Sequence, residues 1–179
     1  MLSYIQNLIT SLAVNSIQYP YKLSSFFYFF PLNSLIIKLY LLVWRSIVSL
    51  TQEQINKLTQ KAIAMSKQAR APFSKYNVEA AILCDDDTII GGCNIENVSY
   101  SLTECAERVA LFSSIAQGCK NIKALAVATE NLGSPCGACR QVIWELCGDI
   151  PIYLVDFNGN SSETSSGKLL PNAFKLEKE

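Results

Sequence analysis

The 179-residue chain is half apolar, balances 15 basic against 15 acidic residues, and contains no histidine. Its size suits one domain plus an extension, and the missing imidazole excludes Ser-His-Asp catalysis, Cys-His catalysis and the metalloprotease His-Glu-x-x-His zinc site. No basic run is long enough to follow a phosphate backbone, so nucleic acid is not an expected partner.

Charge is unevenly spread. Residues 1–52 carry Lys22, Lys38 and Arg45 and no acidic residue, leaving 12 basic and 15 acidic residues on the other 127. Residues 1–50 form an apolar N-terminal extension, rich in serine and centred on Phe26-Phe27-Tyr28-Phe29-Phe30. The stretch 34–50 approaches the roughly 20 residues that a spanning helix needs. Lys38 and Arg45 interrupt it, each at a cost of about 2.5–3.5 kcal/mol in mid-membrane. Seven positions apart, they share one helical face, which suits an interfacial helix equally well. No small-x-small cleavage site follows a compact apolar run, and arginine is scarce for a transit peptide. Three readings stay open: membrane association through residues 23–50, organelle targeting, and an extension without a separable role. A cytoplasmic location is expected for the protein.

The composition changes at Thr51. Thr51-Gln52-Glu53-Gln54 predicts a capping box, and Ile55, Leu58, Ala62, Met65 and Ala69 follow at helical spacing as one apolar stripe, ending before Pro72. Residues 78–84 and 88–93 are β-prone runs joined by Asp85-Asp86-Asp87, read as a hairpin. A helix is expected over 103–117 with Gly118 as its stop, a buried strand over 122–128, a helix over 136–147 closed by Gly148, and a strand over 150–156. The order α-β-β-α-β-α-β predicts an α/β fold, a three-layer α-β-α sandwich around a mixed sheet. Residues 51–179 would make up the catalytic domain.

Seven cysteines, three of them at metal spacing, fit a reducing compartment better than a disulfide scaffold. Cys84, Cys93, Cys119 and Cys147 are expected to serve as small hydrophobes. Cys105-Ala106-Glu107 and Pro135-Cys136-Gly137-Ala138-Cys139 carry the chemistry. Cys105, Cys136 and Cys139 can hold Zn2+ as three thiolates and leave a fourth position open, as a catalytic zinc requires. Glu107, two residues beyond the first thiolate, can then move protons without ligating the metal. This is the residue order of zinc deaminases, with cysteine in place of histidine. Cys105 and Cys136 each fall in the first turn of an expected helix, where free N–H groups favour thiolate. Backbone near Ala106 would help orient the attacking oxygen. Arg108 could donate to the sulfurs and offset the charge of a tris-thiolate site. A closed four-cysteine zinc, with Cys93 as the fourth ligand, is the bland rival. Asn94 and Glu96, where the second strand runs out, suit a polyhydroxylated ligand.

Gly92-Cys93-Asn94-Ile95-Glu96-Asn97, Cys105-Ala106-Glu107-Arg108 and Pro135-Cys136-Gly137-Ala138-Cys139-Arg140-Gln141-Val142 together closely resemble the small cytidine deaminases. The likeness covers nearly all of residues 51–175 and none of the first 50. It implies hydrolytic deamination of cytidine and deoxycytidine in pyrimidine salvage, with a free nucleoside as substrate. It further implies zinc on Cys105, Cys136 and Cys139, Glu107 as acid/base, Asn94 and Glu96 on the ribose 3′-hydroxyl, and Tyr76 near the nucleoside. Phe174 would be offered to a neighbouring subunit of a homotetramer. One position departs from the pattern: Glu79 stands where the family typically has glycine, and a buried charge there would be costly unless paired. The rival functions are a blasticidin-type deaminase, against which Asn94-Ile95-Glu96-Asn97 argues, and a non-catalytic zinc-stabilised scaffold tethered to membrane.

Overall fold

The computed structural model describes residues 50–175. The readings placed on the apolar extension, including membrane association through residues 23–50, therefore lie outside the described residues save for Leu50. Among the described residues no helix is long and apolar enough to cross a membrane.

Helix α1 (Gln52–Ala64) begins as its sequence requires. The Thr51 hydroxyl accepts from the Gln54 amide at 3.2 Å, and the Gln54 side chain accepts from the Thr51 amide at 2.9 Å. That reciprocal pair satisfies two of the amides a helix start leaves free. A short 3-10 turn, Met65–Lys67, ends the helical stretch, so Ala69 of the expected stripe lies beyond it. Strands β1 (Glu79–Cys84) and β2 (Ile89–Cys93) form the expected antiparallel hairpin. Helix α2 (Ala106–Ala116), strand β3 (Ile122–Ala128), helix α3 (Gly137–Cys147) and strand β4 (Pro151–Val155) follow in the order read from sequence. Among the described residues three elements were not anticipated: the 3-10 turn Tyr100–Leu102, strand β5 (Ser161–Ser165) and the four-residue helix α4 (Ser166–Leu169).

The five strands lie in the order β2-β1-β3-β4-β5, with β3 and β4 parallel and the other pairs antiparallel. Every residue of β1 is buried, as a strand covered on both faces must be. Two adjacent glycines show what covers each face. A Cβ on Gly91 would meet Met65 and Lys61 at the end of α1, whereas one on Gly92 would meet the backbone of α2. Successive strand residues point to opposite faces, so α1 covers one face and α2 the other. Ala80, Ile82, Leu125, Val127, Ile152 and Leu154 form the core on the α2 side, packed against Ala110, Leu111 and Ile143. Leu58 and Ala62 fill the α1 side.

The expectation for the spare cysteines is corrected in part. Cys84 at the end of β1 and Cys119 just after α2 form a disulfide rather than two separate small hydrophobes. The turn through Gly118, at φ 88°, brings Cys119 back to the sheet, a proximity that a separation of 35 residues conceals. Cys93 and Cys147 remain free thiols, and burial pushes Cys147 up to about 12.

Candidate active site

The site stands where two helices begin. Cys105 is the N-cap of α2 and Cys136 the N-cap of α3, with Cys139 in the first turn of α3. Gly92 lets α2 reach the sheet: a Cβ there would lie 2.5 Å from the Ala110 nitrogen and 2.6 Å from the Ala106 oxygen. Both are backbone atoms that cannot swing aside. A short ladder also guides the chain from β2 into α2, with Ile95 N donating to Glu104 O at 2.9 Å and Glu104 N returning the bond at 3.1 Å.

The ligand atoms of Cys105, Cys136 and Cys139 all lie within 4.8 Å of one another, and Cys105 and Cys136 are 4.0 Å apart. Tetrahedral zinc at its usual sulfur distance separates its sulfurs by about 3.8 Å, so this donor set fits the metal. Hydrogen bonding from Cys139 first, then Cys136 and the Arg108 guanidinium, brings Cys105 down to about 6 against the opposing effect of burial. Cys139 moves the other way, held protonated by its bond to Cys105 and by burial. The rival fourth ligand does not join them. Cys93 follows the Gly91 side of β2, and its thiol donates to Gln68 O at 3.3 Å.

Glu107 sits in the first turn of α2, 3% exposed, and its Oε2 has no hydrogen-bond partner. Burial raises its pKa, and the negative charge of Cys105 adds to that. A carboxyl group so placed is poised to take up and release a proton. Ala106, directly before it, is fully buried. The Arg108 Nη2 reaches Cys105 Sγ at 3.9 Å and Thr103 O at 3.1 Å, while Nε pairs with Glu104 at 3.0 Å. Arg140 ties the approach to α3, donating to Pro135 O at 2.7 Å, Ser134 Oγ at 2.9 Å and Leu169 O at 3.0 Å.

The remaining candidates take different positions. Asn94 is buried and brackets the Tyr76 segment, donating to Tyr76 O at 2.9 Å and accepting from Val78 N at 3.2 Å. The Glu96 carboxylate accepts from Phe73 N at 2.7 Å and Ser74 N at 3.2 Å. Hydrogen bonding from the Ser74 side chain leads in holding its pKa below the usual carboxylate range, and the two backbone amides add to it. Phe174 is 69% exposed, and its carbonyl accepts from Gln141 Nε2 of α3 at 3.0 Å. Sequence reasoning missed Asn131, whose side chain accepts from the Tyr76 hydroxyl at 2.6 Å. No local pattern marks a lone asparagine in a loop as the partner of a tyrosine 55 positions away.

A three-thiolate cluster at paired helix starts, with a buried carboxyl beside it on an α/β sheet, defines the class: a zinc-dependent deaminase, a hydrolase. The profile of the cytidine and deoxycytidylate deaminase zinc-binding region matches residues 52–154. The cytidine deaminase of Sporosarcina psychrophila is 52% identical over 125 residues, 66% of this chain and 92% of that one. That of Halalkalibacterium halodurans is 45% identical over 123 residues, 67% of this chain and 93% of that one. The crystal structure of cytidine deaminase from Burkholderia pseudomallei superposes with a TM-score of 0.64 at 42% identity, covering 70% of this chain and all of that one. The chain belongs to the cytidine deaminase family.

Proposed function

We propose that the chain converts cytidine and deoxycytidine, with water, to uridine and deoxyuridine and ammonia, as a step of pyrimidine salvage. What carries this reading is the orphaned carboxylate oxygen of buried Glu107 beside the three-cysteine cluster. Cys105, Cys136 and Cys139 would hold the zinc. When bound there, zinc supplies the Lewis acidity that makes water nucleophilic near neutral pH. Glu107 accepts the proton that the attacking water gives up and delivers it to ring N3 as the new C4–O bond forms. The new C4 hydroxyl then gives its proton to the same carboxylate, which passes it to the amino group; the C4–N bond breaks, the C4 carbonyl forms, and ammonia leaves. The raised pKa of Glu107 suits both directions of transfer. Arg108, near Cys105, would draw negative charge from the sulfurs, and backbone near buried Ala106 would help orient the attacking oxygen.

Asn94 and Glu96 receive the ribose, and Tyr76 lies beside the base. Both polar atoms of the Asn94 side chain already hold the Tyr76 backbone segment, so this asparagine would serve ligand and loop together. Exposed Phe174 is offered to a second copy, and a homotetramer is the assembly this favours. The catalytic unit is residues 51–179, with residues 1–50 as an added extension; the location is cytoplasmic, where the Cys84–Cys119 bridge would stand open to reduction.

The test is ammonia release by the purified, zinc-loaded full chain given cytidine, deoxycytidine, free cytosine or blasticidin S. Turnover of the two nucleosides, lost in Glu107→Ala, is expected. Turnover of blasticidin S or cytosine alone would replace this reading with another deaminase, and bound zinc without any turnover would leave a scaffold.

A further inference from the structure

We infer that Asn131 is a positioning residue for the ring of Tyr76, coupling that ring to the loop that delivers the zinc ligands of α3. The inference rests on the reading above, in which Tyr76 lies beside the base.

The backbone around Tyr76 is already fixed from one side. Its amide donates to Ser74 Oγ at 3.0 Å and its carbonyl accepts from Asn94 at 2.9 Å. Those bonds leave the ring free to swing about its own side-chain torsions. The hydroxyl removes that freedom by donating to Asn131 Oδ1 at 2.6 Å.

Asn131 belongs to the connection between β3 and α3, which runs through Gly133 and Pro135 to Cys136. The connection is itself tied down close to the tyrosine hydroxyl. Thr129, 2% exposed, accepts from the Gly133 amide through Oγ1 at 2.6 Å, and the same oxygen approaches Asn131 Oδ1 at 3.5 Å. Gly133 sits directly against the tyrosine side chain. A Cβ there would lie 2.6 Å from the Tyr76 hydroxyl oxygen and 3.3 Å from both Asn131 Oδ1 and Thr129 Oγ1. Glycine is required at this position because the tyrosine oxygen occupies the space, and its φ is unremarkable.

The hydroxyl thus bonds Asn131 and abuts Gly133, two residues of one loop, and Thr129 ties both of them down. Phenylalanine at this position could present the same ring face but would have no such tether. A ring held before the substrate arrives spares the ordering cost of binding, so the coupling should act on substrate binding more than on the chemical step. It should also be shared: once either partner of the hydroxyl bond is gone, removing the other should cost little more.

The experiment compares cytidine kinetics, zinc content and melting temperature for the zinc-loaded full chain and five variants. These are Tyr76→Phe, Asn131→Ala, their double variant, Gly133→Ala, and Gly133→Ala combined with Tyr76→Phe. Each of the first two is expected to raise KM about two- to tenfold, the worth of one hydrogen bond, with kcat within about twofold and zinc content unchanged. Their double variant should be no worse than the weaker single one. Gly133→Ala should cost more than either, and adding Tyr76→Phe should recover most of the loss by removing the atom the new methyl strikes. Additive single effects, a loss confined to kcat or to zinc content, or a Gly133→Ala variant that Tyr76→Phe does not rescue would overturn the proposal. A wild-type chain with no cytidine turnover would overturn the functional reading and this inference together. An active wild type with additive variants would overturn the inference alone.

Discussion

Two buried glutamates lie on opposite sides of the sheet, and their contrast separates a working site from a burden. Glu107 is 3% exposed at the start of α2, and Glu79 is fully buried at the start of β1, on the face covered by α1. Each has at least one carboxylate oxygen without a hydrogen-bond partner, and burial raises the pKa of both. Desolvation acts on the two in the same way. What differs is the company. Glu107 stands among thiols and near a guanidinium, at a helix start whose field tolerates negative charge. Glu79 faces Cys93 across the β1–β2 pairing, and its charge adds to the burial that already pushes the Cys93 thiol up. An orphaned carboxylate is therefore a functional signal only where its surroundings supply something to react with.

The sharpest way to break this comparison is to neutralise Glu107. Glu107→Gln keeps the size of the side chain and removes its capacity to carry protons. The expected result is a loss of at least about 10²- to 10⁴-fold in kcat, with three-cysteine zinc retained on metal analysis. A variant that kept near-normal turnover would move the acid/base role to another residue. A variant that lost its zinc would show that Glu107 supports the metal site rather than the proton transfer.

The next effect concerns the corner where α2 returns to the sheet. The Cys84–Cys119 bridge closes a 35-residue loop that contains both Cys105 and Glu107. Loop-closure entropy alone assigns such a bridge about 4 kcal/mol. Cys119→Ser, or reduction with a phosphine that does not strip zinc, should lower the melting temperature by roughly 10 °C. The free-thiol count under denaturing, metal-free conditions should rise from five to seven on reduction. An unchanged melting temperature would mean that the corner is held by packing of Cys84 and its neighbours in the core, with the bridge adding nothing.

The residues that were legible in the sequence are those whose role depends on near neighbours in the chain. Thr51 and Gln54 cap a helix from three positions apart, Cys105 and Glu107 share one turn, and Cys136 and Cys139 share another. Strands β1 to β4 announced themselves by apolar runs. Strand β5 did not, because Ser161-Ser162-Glu163-Thr164-Ser165 lies at the edge of the sheet with little to bury. The disulfide and the Tyr76–Asn131 bond were hidden for a related reason: both join residues from separate elements whose meeting only the completed sheet arranges. Glu79 is the intermediate case. Its place inside a β-prone run marked it as a costly charge, but whether the strand was covered there could be known only once α1 had been set against it.

That cost can be measured by titrating it away. An isolated carboxyl loses its proton near pH 4.3, whereas burial raises Glu79 to about 7. The folded state therefore binds the proton more tightly than the unfolded state does. Stability associated with the protonated side chain is fully present below the unfolded pKa and is lost as the pH climbs through the folded one. Glu79→Gln removes the ionisation and keeps the shape. It should raise the melting temperature by a few degrees near pH 8, and the advantage should be much smaller by about pH 5 and gone below about pH 4, where the carboxyl is protonated in the folded and unfolded states alike. The free thiol of Cys93 must stay in place during the comparison, because its own ionisation is tied to the same charge. A benefit that persisted undiminished at about pH 5 would show that the wild-type residue is disfavoured by its shape, or by its unmade hydrogen bonds, and not by its charge. No benefit at either pH would mean that Glu79 finds a partner in the assembled protein, most directly from another copy of the chain.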